Sequence, residues 1–336
     1  MSEDKEEKIG LSPEMVALTE IKGVGPKTAE KLIECGIKDQ VQLACLRAEE
    51  LAAILKITNK AAKDIVNDAK AKALDKAIIL TSMADEIKRR KEVIQRIPTG
   101  SAQLDRIFKG GIPTEAITVS KGEFASGKTQ LGFQLVVNLK RYFNRKTIWV
   151  ETESSTFSPD RIMEMAKASG VPIDPANDVW YIGSGNIATP YNLYLALQRI
   201  EQKLQRGENY GLIVIDSFSA PFRSFYTGRE MLPDRAKEEA RHLGLLDRLA
   251  KTYNLVVFIT AQVMDIPDPG SQLGEKVKSG HFKRMFGGNV LSHGGTYLIS
   301  LQQMAMQQWE AVVFDAPDIP RSVCRFKITE SGIRDV

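Results

Sequence analysis

Residues 122–129 read Gly-Glu-Phe-Ala-Ser-Gly-Lys-Thr, and this octet limits the possible folds more than any other stretch of the chain. It fits G-x-x-x-x-G-K-[ST], a glycine-rich turn between a buried strand and the N-terminus of a helix. The flanks agree. The apolar, β-prone run Ala116-Ile117-Thr118-Val119 leads in, and the amphipathic run Gln130 to Leu139 leads out. Such a turn aims successive backbone N–H groups and the positive end of a helix dipole at one anion. Gly122, Glu123, Phe124, Ala125, Ser126, Gly127, Lys128, Thr129 and Gln130 are therefore the candidate cradle for a nucleoside triphosphate. Lys128 supplies charge to the outer phosphates, and the Thr129 hydroxyl can ligate Mg²⁺.

The 336 residues, 43% hydrophobic and 26% charged, suit a soluble chain of one large domain and one smaller. A net charge of +4 says little about partners until its distribution is considered. Cys35, Cys45 and Cys324 form no C-x-x-C and read as small core residues in a reducing compartment. The polar, acidic start MSEDKEEKIG reads as neither signal peptide nor anchor. No apolar run approaches the ~18 residues of a membrane span. The expectation is a cytoplasmic protein without a membrane partner.

Along the chain, residues 1–10 read as a disordered charged tail and 11–74 as a small all-helical domain. Within it, Ile21-Lys22-Gly23-Val24-Gly25-Pro26-Lys27 reads as helix, glycine hairpin, helix, with a weaker copy at Leu55 to Ala62. Gly23, Gly25 and Lys27 can hold a DNA backbone phosphate without reading sequence, and such a domain can equally dock a protein. Residues 75–97 read as a linker whose charged core, Ala84 to Lys91, is a solvated helix. From 98 to 336, β-prone and helical runs alternate. Strands are expected at 147–150, 179–182, 212–216, 255–260, 296–301, 311–314 and 326–329, the last three as an antiparallel extension. This is a doubly wound α/β domain, mostly parallel, with its ligand at the C-terminal edge of the strands.

Three strand ends carry chemistry. Leu212 to Asp216 is an apolar run ending in an acid, as a carboxylate facing the metal's outer shell requires. Glu151 and Glu153, two residues apart, are expected to point the same way, so that one can polarise the attacking water. Gln262 ends a further strand and can sense the γ-phosphate for the loop that follows. Two loops are basic. Arg223, Arg229 and Arg235 recur every six residues, with Phe225 and Tyr226 interleaved; Lys276, Lys278, Lys283 and Arg284 lie between Pro269 and Gly288. Arginines with aromatics suit phosphate contact and base stacking on single strands.

The chain resembles the archaeal RadA recombinases of the RecA superfamily over nearly its whole length, from the helix-hairpin-helix through Thr99-Gly100 and Gly122 to Gln130 to Gly332-Ile333-Arg334-Asp335. The resemblance implies a RecA-like P-loop core with a small helix-hairpin-helix domain, binding ATP and Mg²⁺. It implies helical self-assembly on single-stranded DNA, ATP at subunit interfaces, and pairing with homologous double-stranded DNA. Recombination mediators are further expected partners. Carried over, Lys128 and Thr129 match the phosphate and Mg²⁺ ligands, and Asp216 the acid behind the metal. Glu153 looks like the catalytic glutamate, and Gln262 like the switch glutamine. Arg161 matches the arginine that stacks on adenine, and Pro320 the cap over the neighbour's ATP. Arg223, Arg229 and Arg235 match the first-loop arginines.

The chain departs from the family at several positions. The subunit-docking motif falls on Thr81-Ser82-Met83-Ala84, with Thr81 where the aromatic should be, so Leu80 or Met83 would have to fill the pocket. Ala261 replaces an asparagine, the Glu151 to Ser155 segment is one residue longer, and Gly287-Gly288-Asn289 lacks a histidine. Arg321 stands where the family carries an acid, and its guanidinium is expected to approach the neighbour's γ-phosphate in place of a monovalent cation. Two functions follow: a DNA-dependent ATPase that exchanges strands, or a recombinase paralogue that regulates one without forming long filaments.

Overall fold

The computed structural model describes residues 12–77, 80–264, 284–285, 288–304 and 307–336. Its contacts divide the chain into two compact units that meet at Lys88/Arg89.

The first unit is helical: α1 (Pro13–Thr19), α2 (Pro26–Glu34), α3 (Gln40–Ala44), α4 (Ala48–Leu55) and α5 (Asn59–Ala77). Leu18, Leu32, Leu43, Leu51 and Ala69 are fully buried in its own small core. The hairpin between α1 and α2 depends on glycine. Gly23 has φ +89°, and a Cβ there would lie 3.1 Å from Ile65 Cγ1. Gly25 caps α2, with Pro26 at its first position, where a missing N–H costs nothing. The second copy between α4 and α5 uses Lys56 at φ +55° instead. Gly23, Gly25 and Lys27 are exposed. The cysteine expectation is corrected here. Cys324 is buried, but Cys35 and Cys45 are exposed, because they cap the C-termini of α2 and α3 where the chain turns outward.

Leu80, Thr81 and Ser82 lead into α6 (Met83–Val93), which Ser82 caps through its hydroxyl to the Asp85 N–H at 3.1 Å. Thr81 and Ala84 are exposed, and so are Leu80 and Met83, at 95% and 80%.

The second unit begins with β1 (Arg96–Ile97), which pairs antiparallel with β2 (Ile112–Pro113) across α7 (Ala102–Ile107). Then follow β3 (Ala116–Gly122), α8 (Lys128–Phe143), β4 (Lys146–Glu151), α9 (Pro159–Ala168), β5 (Val179–Ile182), α10 (Pro190–Gln205) and β6 (Tyr210–Asp216). After them come α11 (Ala220–Phe225), α12 (Leu232–Thr252), β7 (Val256–Met264) and β8 (Arg284–Met285). A short helix over Gly288–Gly294 precedes β9 (Tyr297–Gln303), β10 (Gln308–Asp315), β11 (Ser322–Thr329) and β12 (Gly332–Asp335). The main sheet runs β12-β11-β10-β9-β3-β7-β6-β4-β5, with β8 beside β7.

Every residue of β3 and β6 is buried, as a parallel sheet covered on both faces requires. Alternate residues serve two cores. Leu212 and Val214 pack with α8 and α9, whereas Ile213 and Ile215 pack with α10 and α12. Two expectations change. Antiparallel pairing starts at β10, because β9 still lies parallel to β3, and β12 is an additional strand. β5 is an edge strand with Trp180 and Tyr181 half exposed. Among the described residues no helix is long and apolar enough to cross a membrane.

Candidate functional site

Parallel pairing brings the chemistry-bearing strand ends level. Gly122 of β3 registers with Gln262 of β7, and Glu151 of β4 with Asp216 of β6. The cleft above them, about 830 Å³, is lined by the whole octet with Gln130, Glu153, Asp216, Ser217 and Gln262. The glycines are sterically demanded. A Cβ at Gly122 would lie 2.4 Å from the Leu301 carbonyl oxygen, and Gly127 enters α8 at φ +92°, a conformation costly for any L side chain.

Lys128 Nζ donates to the carbonyl oxygens of Gly122 and Glu123 at 3.0 and 2.7 Å and to Ser126 Oγ at 3.2 Å. Burial lowers its pKa, against the pull of Asp216, Glu153 and Glu123. Thr129 Oγ1 donates to Asp216 Oδ2 at 2.7 Å, and Thr260 donates to the other oxygen. Burial raises the Asp216 pKa, and these hydroxyls with Lys128 oppose it. A hydroxyl and a carboxylate side by side are hard oxygen donors, which fit Mg²⁺.

The two glutamates do not point the same way, contrary to the sequence expectation. β4 stops at Glu151, so the two-residue alternation of a strand does not carry to Glu153. Glu151 is buried and takes the backbone N–H groups of Thr156 and Phe157 at 2.8 and 2.9 Å, with the Tyr181 hydroxyl. Burial pushes its carboxyl up, and these donors outweigh that and hold it below the usual range. Glu151 anchors the loop. Glu153 faces the cleft, where Gln262 Nε2 donates to both its oxygens at 2.8 and 2.9 Å and Ser217 Oγ donates at 3.1 Å.

Arg161 does not line the cleft itself but bonds to Gln130, which does. Its guanidinium donates to Gln130 Oε1 at 3.1 Å, to the Glu330 carbonyl at 2.8 Å and to the Thr329 carbonyl. Trp309 is a lining residue that the sequence reading missed. Its Nε1 donates to the Ala125 carbonyl at 3.2 Å, and Ile328 lines the cleft beside it. Neither the motif nor any spacing signals it, since β10 reaches the octet only through the sheet order. Phe124 is fully exposed at the rim. Pro320 and Arg321 are exposed and do not line this cleft.

The first basic stretch is more ordered than a loop. Arg223 sits in α11, Arg229 in a 3₁₀ turn and Arg235 in the first turns of α12. Arg223 joins the site, with Nη2 3.3 Å from Glu153 Oε1 and Nη1 donating to Gln262 Oε1. Arg229 is exposed. Arg235 instead turns to Glu239, 3.4 Å away, whose side chain is 1% exposed. The interleaved aromatics divide as well. Tyr226 is core, whereas Phe225 stays partly exposed against Tyr191 at 5.5 Å. In the second basic stretch Lys276, Lys278 and Lys283 lie outside the described residues, and Arg284 pairs with Met264 in the β7–β8 ladder. Among the described residues no group of three or more His, Cys, Asp or Glu side chains is placed to hold a metal ion.

Comparison with known proteins identifies the family. The family profile for Rad51 matches residues 89–336, and one for a SAM-like helix-hairpin-helix tandem matches residues 15–71. The DNA repair and recombination protein RadA of Methanococcus maripaludis (strain C5) is 32% identical over 95% of this chain and 99% of its own length. The protein of that name from Methanococcus voltae is 31% identical over the same shares.

Proposed function

Because the chain belongs to the Rad51 family of RecA-superfamily recombinases, we propose that its cleft couples ATP hydrolysis to a grip on single-stranded DNA. The protein is a recombinase of DNA repair and recombination, a DNA-dependent ATPase that exchanges strands. Its N-terminal helix-hairpin-helix tandem is the second DNA- or protein-binding module, and mediators of filament assembly are its expected protein partners.

The observation that carries the reading is the contact of Thr129 with Asp216, 2.7 Å, in the cleft that Lys128, Glu153 and Gln262 also line. Lys128 and the octet's N–H groups hold the triphosphate, and Thr129 and Asp216 would hold Mg²⁺. The ion neutralises charge on the phosphate oxygens when bound. Glu153 takes the proton of the attacking water as general base. Gln262 reports the γ-phosphate to the second basic stretch. Arg161 stacks on the adenine, and Pro320 and Arg321 act on the neighbouring subunit's nucleotide, Arg321 in place of a bound monovalent cation. Arg223 and Arg229, with Lys276, Lys278, Lys283 and Arg284, hold the DNA strand, whereas Arg235 is committed to Glu239; Gly23, Gly25 and Lys27 hold a duplex phosphate. Work comes from ATP-gated affinity, with no covalent step on DNA.

Lys128→Ala should abolish ATP-dependent DNA binding. Arg229→Ala should lose DNA-stimulated hydrolysis while still binding nucleotide, measured by phosphate release and fluorescent-nucleotide titration. An Arg229→Ala protein that DNA stimulates like wild type would remove the first stretch from the DNA site. Thr81 in place of an aromatic favours a second reading, a paralogue that binds ATP and regulates a recombinase.

A further inference from the structure

Resting on that reading, we propose that Arg223 is a positioning residue that ties up the catalytic carboxylate until DNA removes it. The side chains of Arg223, Gln262 and Glu153 close a ring of polar contacts. Arg223 Nη1 donates to Gln262 Oε1, Gln262 Nε2 donates to Glu153 Oε1 and Oε2, and Arg223 Nη2 returns to Glu153 Oε1. Ser217 Oγ adds a third donor to Glu153 Oε1 at 3.1 Å. A carboxylate offers about four lone-pair sites. Three of the four contacts fall on Oε1 and one on Oε2, so these donors compete with water for Glu153 and weaken it as a proton acceptor.

The guanidinium is held on a fixed platform. Ala220, Pro221 and Phe222 of α11 are buried, and the Phe222 ring lies 5.1 Å from Phe218 and 5.0 Å from His242. The Arg223 side chain itself is 46% exposed, so a phosphate in solution can reach it. An arginine fork that engages a phosphodiester in two parallel hydrogen bonds turns its N–H groups away from Glu153 and Gln262. That move takes one donor from Glu153 and leaves the Gln262 carbonyl unpaired. The amide can then turn toward the γ-phosphate, and Glu153 can accept a proton. DNA contact and base activation thereby share one side chain.

The test is steady-state ATP hydrolysis with Mg²⁺ and no DNA, comparing wild type with Arg223→Ala and Arg223→Gln. The DNA-free kcat should rise by about 5-fold or more, the lower end of ordinary site-to-site coupling, with KM for ATP little changed. Loss of a purely structural contact would not raise kcat. Adding Glu153→Gln to Arg223→Ala should return the rate to background. A DNA-free kcat in both Arg223 variants that equals or falls below wild type overturns the proposal and leaves the reading of the cleft standing. A double variant that keeps the raised rate overturns the proposal together with the role given to Glu153.

Discussion

Glu151 and Glu153 show how far two residues of one type can diverge. The sequence places them on one strand end, and only the termination of β4 at Glu151 separates a loop anchor from a candidate base. Glu153→Gln should reduce hydrolysis by roughly 10²–10⁴-fold while leaving nucleotide affinity intact, a general base's share of a rate. Glu151→Gln should instead cost stability and leave kcat within a few-fold. The Glu151 carboxyl is held below its ordinary value, so its contribution is present at neutral pH and lost as pH falls through the acidic range. Thermal melts of the Gln variant should therefore converge on wild type at low pH. A gap that stayed constant with pH would contradict the anchor. Lys128, Thr129 and Asp216 were legible because the octet and an apolar strand ending in an acid are local patterns. Trp309 was not legible, because its place beside Ala125 depends on the sheet order rather than on any neighbour in sequence.

At the scale of the element, α12 carries an unusual charge pair. Arg235 matches a DNA-contacting arginine in the resemblance, yet here it faces Glu239, and among the described residues neither Glu239 oxygen has a hydrogen-bond partner. Burial pushes the Glu239 carboxyl from 4.5 up to about 7, with Arg235 opposing. The folded state therefore holds that proton more tightly than the unfolded one. Stability is greatest below the ordinary carboxylate range and falls as pH rises toward 7. Glu239→Gln should stabilise the protein by roughly 1–3 kcal/mol at pH 8, less whatever the lost pair with Arg235 contributed, and have little effect at pH 5. Urea midpoints at the two pH values check this, and an equal effect at both would refute it. Such a pair is invisible to periodicity, which marks Glu239 only as a polar residue in a charged stretch. The same applies to Tyr226. Its interleaving with arginines suggested a stacking surface, and packing in the core decided otherwise.

At the scale of the whole molecule, the doubly wound core and the small helix-hairpin-helix domain were legible from motif context and alternating runs. The edge character of β5 was not, since an apolar tetrapeptide reads the same at the edge and the centre of a sheet. We propose that self-assembly turns on the stretch around the start of α6. Leu80 and Met83 are nearly fully exposed beside Thr81, and apolar side chains left in water this way are candidates for burial against a second copy. Leu80→Ala with Met83→Ala should weaken assembly by roughly 10–100-fold, the loss of about 1.5–3 kcal/mol of burial. Thr81→Phe should strengthen it, both read by light scattering on single-stranded DNA. The measurement that tests the central claim most directly is negative-stain microscopy of the full chain with single-stranded DNA, Mg²⁺ and a non-hydrolysable ATP analogue. The account predicts regular helical filaments that Lys128→Ala abolishes. Monomers or small rings that nonetheless bind the nucleotide would contradict it and transfer the protein to the regulatory paralogues.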